Sequence, residues 1–275
     1  MRIGVVAPAG RVEPSLADRT QALAEAMFPG RAPEVWFHPQ CFLSSGHFAG
    51  HDAARAAAFL EVANDPGFDA LWCARGGYGS NRSAAAILEG VKPAARDKAY
   101  LGYSDIGFLL AGLYRAGFER LAHGPVPRDL DRPGGEAAAA RALRWLVDGA
   151  EDTLEPSLAK DARPAAAFNL CVLSHLVGTP LEPDLSGHVL MVEDTSEHQY
   201  RVDRSLFHVT SQSSIRKLAG LRLGRINDTP PNDPDFAMSD EAIARHWCAV
   251  SGIDYLGRAD IGHDIDNKIV PFGRR

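Results

Sequence analysis

The chain has 275 residues, 45% of them hydrophobic and 23% charged, with a formal net charge of −6. That composition is ordinary for a folded globular protein, and the length suffices for one large domain or two modest ones. The acidic balance and the lack of a convincing basic run argue against a general polyanion binder, so no nucleic acid partner is expected.

In chain order, Ile3–Ala7 reads as a buried strand. The start has neither the long apolar core nor the small-residue cleavage site of a signal peptide. No apolar run approaches the roughly 18 residues that would span a bilayer. A cytoplasmic protein without a membrane partner is expected. Cys41, Cys73, Cys171 and Cys248 are far apart and form no close pair, which fits buried or free thiols in a reducing compartment.

Ser15–Phe28 has helical character, Glu34–Phe37 is extended, and Asp52–Asn64 returns to helix. Ala70–Ala74 is a second buried strand running into Arg75-Gly76-Gly77-Tyr78-Gly79, followed by a helix over Ser80–Leu88. Tyr100–Gly102 is a strand before a helix carrying Ile106, Leu109, Leu110 and Leu113, with Gly117 as its stop. Short apolar strands alternating with helices predict a parallel α/β sheet, whose functional crevice lies beyond the carboxyl ends of the strands. Arg128–Gly135 is polar and turn-rich, and Ala137–Val147 is a strong helix. Glu151–Pro164 reads as a linker, dividing the chain into an N-terminal unit (1–150), a connection (151–165) and a C-terminal unit (166–275). In the latter, Ala166–Leu176, Gly187–Glu193 and Arg204–Ser211 mix strands with helices, and Ser239 caps a helix beginning with Asp240 and Glu241.

Ser104 lies where a strand turns sharply into a helix, a position that pushes a hydroxyl out of the sheet beside free helical N–H groups. Taken alone, a Ser-Asp pair there is more simply an N-cap. A nucleophile needs a base and a group to orient that base. The chain offers Glu193-Asp194 at the end of an apolar strand and His263 after a glycine in a terminal loop. His47 and His51 have i, i+4 spacing but no accompanying glutamate, and His51-Asp52 reads as a helix start, so no metal is expected. Arg75–Gly79 lacks the dinucleotide fingerprint, and no cofactor is expected. Gly76 and Gly77 suit either an ordinary strand-to-helix turn or close backbone approach to a substrate.

The ordered set of these stretches resembles the LD-carboxypeptidases, serine peptidases of peptidoglycan recycling that include the microcin immunity peptidases. The matching segments are Ile3–Pro8, Arg75–Gly79, Gly102-Tyr103-Ser104-Asp105, Asn169-Leu170, Gly178-Thr179-Pro180, Val192-Glu193-Asp194, Tyr200–Arg204, and Gly262-His263 with Asn267 and Pro271. They span nearly the full length. The resemblance implies an N-terminal α/β domain like the glutamine-amidotransferase sheet, a smaller β-rich C-terminal domain, and commonly a homodimer. It implies Ser104 as nucleophile, His263 as general base, Glu193 as its orienting partner, and the N–H groups of Gly77 and Asp105 as oxyanion hole. The implied reaction cuts the L,D amide between diaminopimelate and the terminal D-alanine of a muropeptide. Arg75 and Arg204 are the candidates for the substrate carboxylate. An immunity-type peptidase cleaving aminoacyl- or peptidyl-nucleotide amides is the alternative, and a non-catalytic binder of cell-wall peptides a third reading. Two departures stand out: Ala167-Phe168 where relatives have two glycines, and an early end at Pro271–Arg275.

Overall fold

A computed structural model describes residues 1–273; Arg274 and Arg275, the end of the short tail, lie outside the described residues. The buried apolar runs of the first half form β1 (Arg2–Val6), β2 (Glu34–Phe37), β3 (Ala70–Cys73), β4 (Ala99–Gly102) and β5 (Leu121–His123). They are parallel, in the order β5-β4-β3-β1-β2. Chain direction across the sheet reverses at β1, whose neighbours are β2 on one side and β3 on the other. Such a switch point opens a crevice at the carboxyl ends of the strands. The helices between them are α1 (Ser15–Met27), α2 (Asp52–Asn64), α3 (Ser80–Gly90) and α4 (Gly107–Arg115), and α5 (Glu136–Asp148) follows β5. Local chemistry sets their ends. His51 Nδ1 accepts the Ala54 N–H at 3.2 Å to cap α2, as its place at a helix start implies, and α5 closes on Gly149 at φ +62°.

The second unit alternates too: β6 (Ala165–Asn169), α6 (Leu170–Leu176), β7 (Val189–Thr195), α7 (Gln199–Ser211), β8 (Gly220–Asn227), α8 (Asp240–Ser251) and β9 (Tyr255–Arg258). Its four strands run parallel in the order β6-β7-β8-β9. The β-rich unit implied by the resemblance therefore also carries three helices, which a parallel sheet needs to cover its faces. Ser239 caps α8 as expected, its hydroxyl accepting the Ala242 N–H at 3.2 Å.

The units interlock. A final strand, β10 (Val270–Pro271), pairs antiparallel with β5 and becomes the sixth strand of the first sheet. Two apolar clusters run through both sheets; one joins Phe59, Tyr100 and Leu110 of the first unit to Phe168, Leu190 and Leu206 of the second. Within 151–165, the 3-10 turns Glu151–Thr153 and Pro156–Lys160 are pinned to the chain's end by bridges Leu154–Ile269 and Ala165–Gly273. Phe168 is a packing residue. It is fully buried, with its ring 5.2 Å from that of Phe272 and its edge against Gly107. Phe272 thus belongs to the core.

Candidate active site

Ser104 follows β4 with φ +61°, a left-handed conformation that costs a non-glycine residue roughly 1 kcal/mol or more. The surrounding glycines make that conformation possible. A Cβ on Gly76 would stand 2.8 Å from Ser104 Cβ and 3.0 Å from its Oγ, and a Cβ on Gly102 would stand 2.7 Å from Ile106 Cγ2. The chain continues as a 3-10 turn, Ser104–Ile106, before α4 begins at Gly107. Ser104 does not act as a helix cap: no side-chain cap bond is made at this turn or at the start of α4. Its hydroxyl is presented to a cavity of about 330 Å³ that Gly76, Gly77 and His263 also line.

His263 comes to that cavity from the second unit. Its Nδ1 lies 2.5 Å from Glu193 Oε2, and both residues are buried. A carboxylate at Nδ1 fixes the tautomer: Nδ1–H donates to Glu193, leaving the Nε2 lone pair to accept a proton. Burial opposes charge on the imidazole, but the facing Glu193 charge and its hydrogen bond prevail and hold His263 above its usual range. Glu193 reaches this position through a fault in the ladder. The β7–β8 register shifts between Val192 and Asp194, and Gly224 opposite has no side chain; a Cβ there would meet Glu193 Cβ at 2.9 Å. Bulges of this kind re-aim side chains beside active sites. Asp194 points elsewhere, accepting from Asn169 Nδ2 at 2.8 Å and the Cys171 N–H at 3.0 Å, so its role is architectural. Burial and the neighbouring Glu193 charge push its carboxyl up to about 7. Ser104 Oγ and His263 make no direct hydrogen bond, and His263 bonds Glu193 through Nδ1; nucleophile–base contacts commonly tighten only around substrate.

The two loops that carry the oxyanion candidates are tied together by Asp105. Its carboxylate accepts the Ser80 N–H at 2.8 Å and the Gly79 N–H at 3.3 Å, and its carbonyl accepts Ser80 Oγ at 2.6 Å. Gly77 sits at φ +114°, open to glycine, and among the described residues its N–H has no acceptor. An unspent N–H in the cavity wall beside a serine is what an oxyanion site requires.

Charge lines the remaining wall. Arg128 pairs with Asp131, and Arg132 with Asp129 at 3.2 Å. Arg75 differs from both. Half-buried, it donates only to the Gly76 and Arg11 carbonyls, and no carboxylate of the described residues pairs with it. Burial and the like charge of Arg128 push its guanidinium down. Arg204 is not brought to this cavity. It lies on α7 with its guanidinium 5.7 Å from the Tyr200 ring centroid, in a separate pocket with Cys171 and His175. The sequence reading missed Tyr103, Asp129 and Arg132 as site residues. The available signal was a charge-dense turn just past a parallel strand, but β5 has only three residues and was not seen.

A parallel α/β sheet presenting a strained serine to a histidine–carboxylate pair has the layout of a serine hydrolase. The chain belongs to the LD-carboxypeptidase family: residues 3–124 match its N-terminal domain and residues 166–275 its C-terminal domain. It is 30% identical over 285 residues to a putative carboxypeptidase of Synechocystis sp., covering 100% of this chain and 90% of that protein. It is 26% identical over 299 residues to a murein tetrapeptide carboxypeptidase of Pseudomonas aeruginosa, covering 99% and 91%. Among solved structures, it shares its fold with muramoyltetrapeptide carboxypeptidase from Oxalobacter formigenes at TM-score 0.80 and 23% identity, covering 99% of this chain and 93% of that one. The microcin C7 self immunity protein MccF also has this fold, at TM-score 0.78 and 16% identity, with 99% and 91% covered.

Proposed function

We propose that the protein is a serine LD-carboxypeptidase that hydrolyses the L,D amide between diaminopimelate and the terminal D-alanine of muropeptide tetrapeptides. The observation that carries this reading is one cavity holding a strained Ser104, the Glu193-paired His263 and an arginine, Arg75, without an acidic partner. His263 Nε2 takes the Ser104 proton as Oγ attacks the scissile carbonyl, and Glu193 stabilises the imidazolium that forms. The N–H groups of Gly77 and Asp105 receive the oxyanion. The imidazolium then returns its proton to the leaving amine of D-alanine, and water resolves the acyl-enzyme by the same route. Arg75 is the clamp for the terminal carboxylate, for which a planar fork of donors is suited.

The reading includes an N-terminal unit of residues 1–150 joined through 151–165 to a unit of 166–275, with the nucleophile on one and the base on the other. It also includes a cytoplasmic homodimer. The free thiols Cys41, Cys73, Cys171 and Cys248 support a reducing compartment, and exposed Tyr200 and Phe207 on α7 offer apolar surface for a partner. No helix among the described residues is long and apolar enough to cross a membrane.

Hydrolysis of aminoacyl-nucleotide amides is the competing reading. It needs an aromatic platform for a base, yet none of Trp36, Trp72, Trp145 and Trp247 lines the cavity, and Tyr103, which does, is buried and bonded to Asp129. Supplying a disaccharide tetrapeptide and an aminoacyl sulfamoyl adenosine together decides between them. Faster consumption of the tetrapeptide is expected; selective consumption of the nucleotide would overturn the assignment.

A further inference from the structure

Beyond Glu193, a second set of groups meets His263, two of them buried and Arg132 partly exposed, and no step of the mechanism uses it. Asp129, buried in the turn after β5, accepts Tyr103 Oη at 2.9 Å and Arg132 Nε at 3.2 Å on Oδ1, and the Val126 N–H at 2.9 Å on Oδ2. Arg132 reaches on with Nη1 to the His263 carbonyl at 2.6 Å. The Tyr103 ring lies 4.8 Å from the His263 ring, tilted 50°, with its centroid 5.6 Å from that of buried His123. Three linked residues of the first unit therefore hold His263 by its backbone and by contact with its ring, while Glu193 holds Nδ1.

We propose that Tyr103, Asp129 and Arg132 form a positioning clamp that fixes the imidazole of His263 across the boundary between the two units. The inference rests on the reading of His263 as general base. The base sits on a loop, and a loop alone sets a ring's angle poorly. The second unit anchors the backbone through the His263 N–H to Asn227 Oδ1 at 2.8 Å, and Arg141 of α5 holds the Ile265 and Asn267 carbonyls at 2.9 Å. Neither contact touches the ring, and Glu193 alone leaves it free to swing about the Nδ1 bond. Tyr103 blocks that swing. Asp129 locks Tyr103, because its carboxylate fixes the phenol oxygen, and Arg132 joins this lock to the very residue it serves. Tyr103, Asp129 and Arg132 all line the cavity, so direct contact with substrate is the rival role.

The charged and titratable groups acting on His263 are Glu193 and, only through space, Asp194 on β7, Arg132 and Asp129 from the turn after β5, His123 on β5, and Tyr103 after β4. Arg132 is the cation among them and opposes a charged imidazole. Its removal therefore favours the imidazolium, while a lysine keeps the charge but loses the two-pronged grip.

The test uses Tyr103→Phe, Arg132→Gln and Arg132→Lys in the full chain, with unmodified protein turning over the tetrapeptide as control. The expected result is a kcat lower by about tenfold or more in Tyr103→Phe and Arg132→Gln, with KM within about twofold. The acid limb of the rate profile should move upward in Arg132→Gln and return in Arg132→Lys. A raised KM at unchanged kcat would make these substrate contacts and overturn the proposal, as would unchanged kcat and pH limb. The His263 ring proton is titrated by NMR in the same variants, its signal assigned by loss in His263→Gln. A changed His263 ring signal in Tyr103→Phe, which leaves the Arg132 charge in place but frees the phenol ring from Asp129, supports the clamp even with no turnover of muropeptide, so failure of the substrate assignment is distinguishable. An unchanged ring signal in that variant overturns it.

Discussion

Gly76→Ala isolates the geometry of the nucleophile from its chemistry. The added Cβ would stand 2.8 Å from Ser104 Cβ, about 0.6 Å short of the closest ordinary contact, and 3.0 Å from Oγ. Ser104 cannot retreat cheaply, because φ +61° already confines it and Gly102 leaves no slack against Ile106. Overpacking costs about 1–3 kcal/mol, but replacing glycine gains about 0.4–1 kcal/mol through the unfolded chain, so the net loss of stability is modest. Activity responds more steeply, since a misplacement near 1 Å can cost about a hundredfold. We expect kcat to fall by about 10- to 100-fold while thermal unfolding shifts by only several degrees. The assay is D-alanine release alongside a melting curve and the rate of labelling by a serine-directed fluorophosphonate. A kcat within twofold of the unmodified protein, with labelling unchanged, would refute the claim that Gly76 sets the position of Ser104.

Four further outcomes follow from contacts elsewhere in the site and core. Because Glu193 holds the imidazole above its usual value near 6.5, kcat/KM should fall about tenfold per pH unit below that raised value, as the base is lost by protonation. Glu193→Gln removes the charge but not the burial, so the limb should move to lower pH and the plateau drop by about 10²–10⁴; a limb left in place in a rate–pH series would contradict this. Arg75→Lys keeps the charge and loses the fork, and should raise KM roughly tenfold or more with kcat nearly unchanged, measured by steady-state kinetics; an unchanged KM would remove Arg75 as the clamp. Phe272→Ala empties a buried ring site against Phe168 and Tyr114, and should destabilise the fold by about 3–5 kcal/mol in denaturant melts. A loss under 1 kcal/mol would mean that the tail contributes little to the core.

Much of the first sheet was legible because its strands are short apolar runs bounded by turn residues. Helix α2 falls on Asp52–Asn64 as read, and β2 on Glu34–Phe37. Strand β5 escaped because three residues carry no periodicity, and with it went the turn that bears Asp129 and Arg132. Strands β8 and β9 were also unseen: Arg222 and Arg225 interrupt the one, and Gly257 and Arg258 close the other. Spacing placed Ser104, Glu193 and His263 at strand or loop ends, and only the family resemblance joined them into one site. Their convergence depends on a register shift at Glu193 and on β10 returning to the first sheet, both set by tertiary pairing. Arg204 shows the converse: a motif position that looked suited to the substrate lies on α7, in another pocket. The Phe168 departure was visible as an oddity, but its meaning required Phe272, more than a hundred residues later, to be seen against it.

The central claim is that Ser104 cleaves the amide before a terminal D-alanine. Mass spectrometry of a disaccharide tetrapeptide after incubation with the protein, beside its Ser104→Ala variant, tests it most directly. The account predicts loss of one alanine with the unmodified protein and an intact tetrapeptide with the variant. Equal loss with both would exclude Ser104 as the nucleophile, and no loss with either would exclude this amide as the substrate bond.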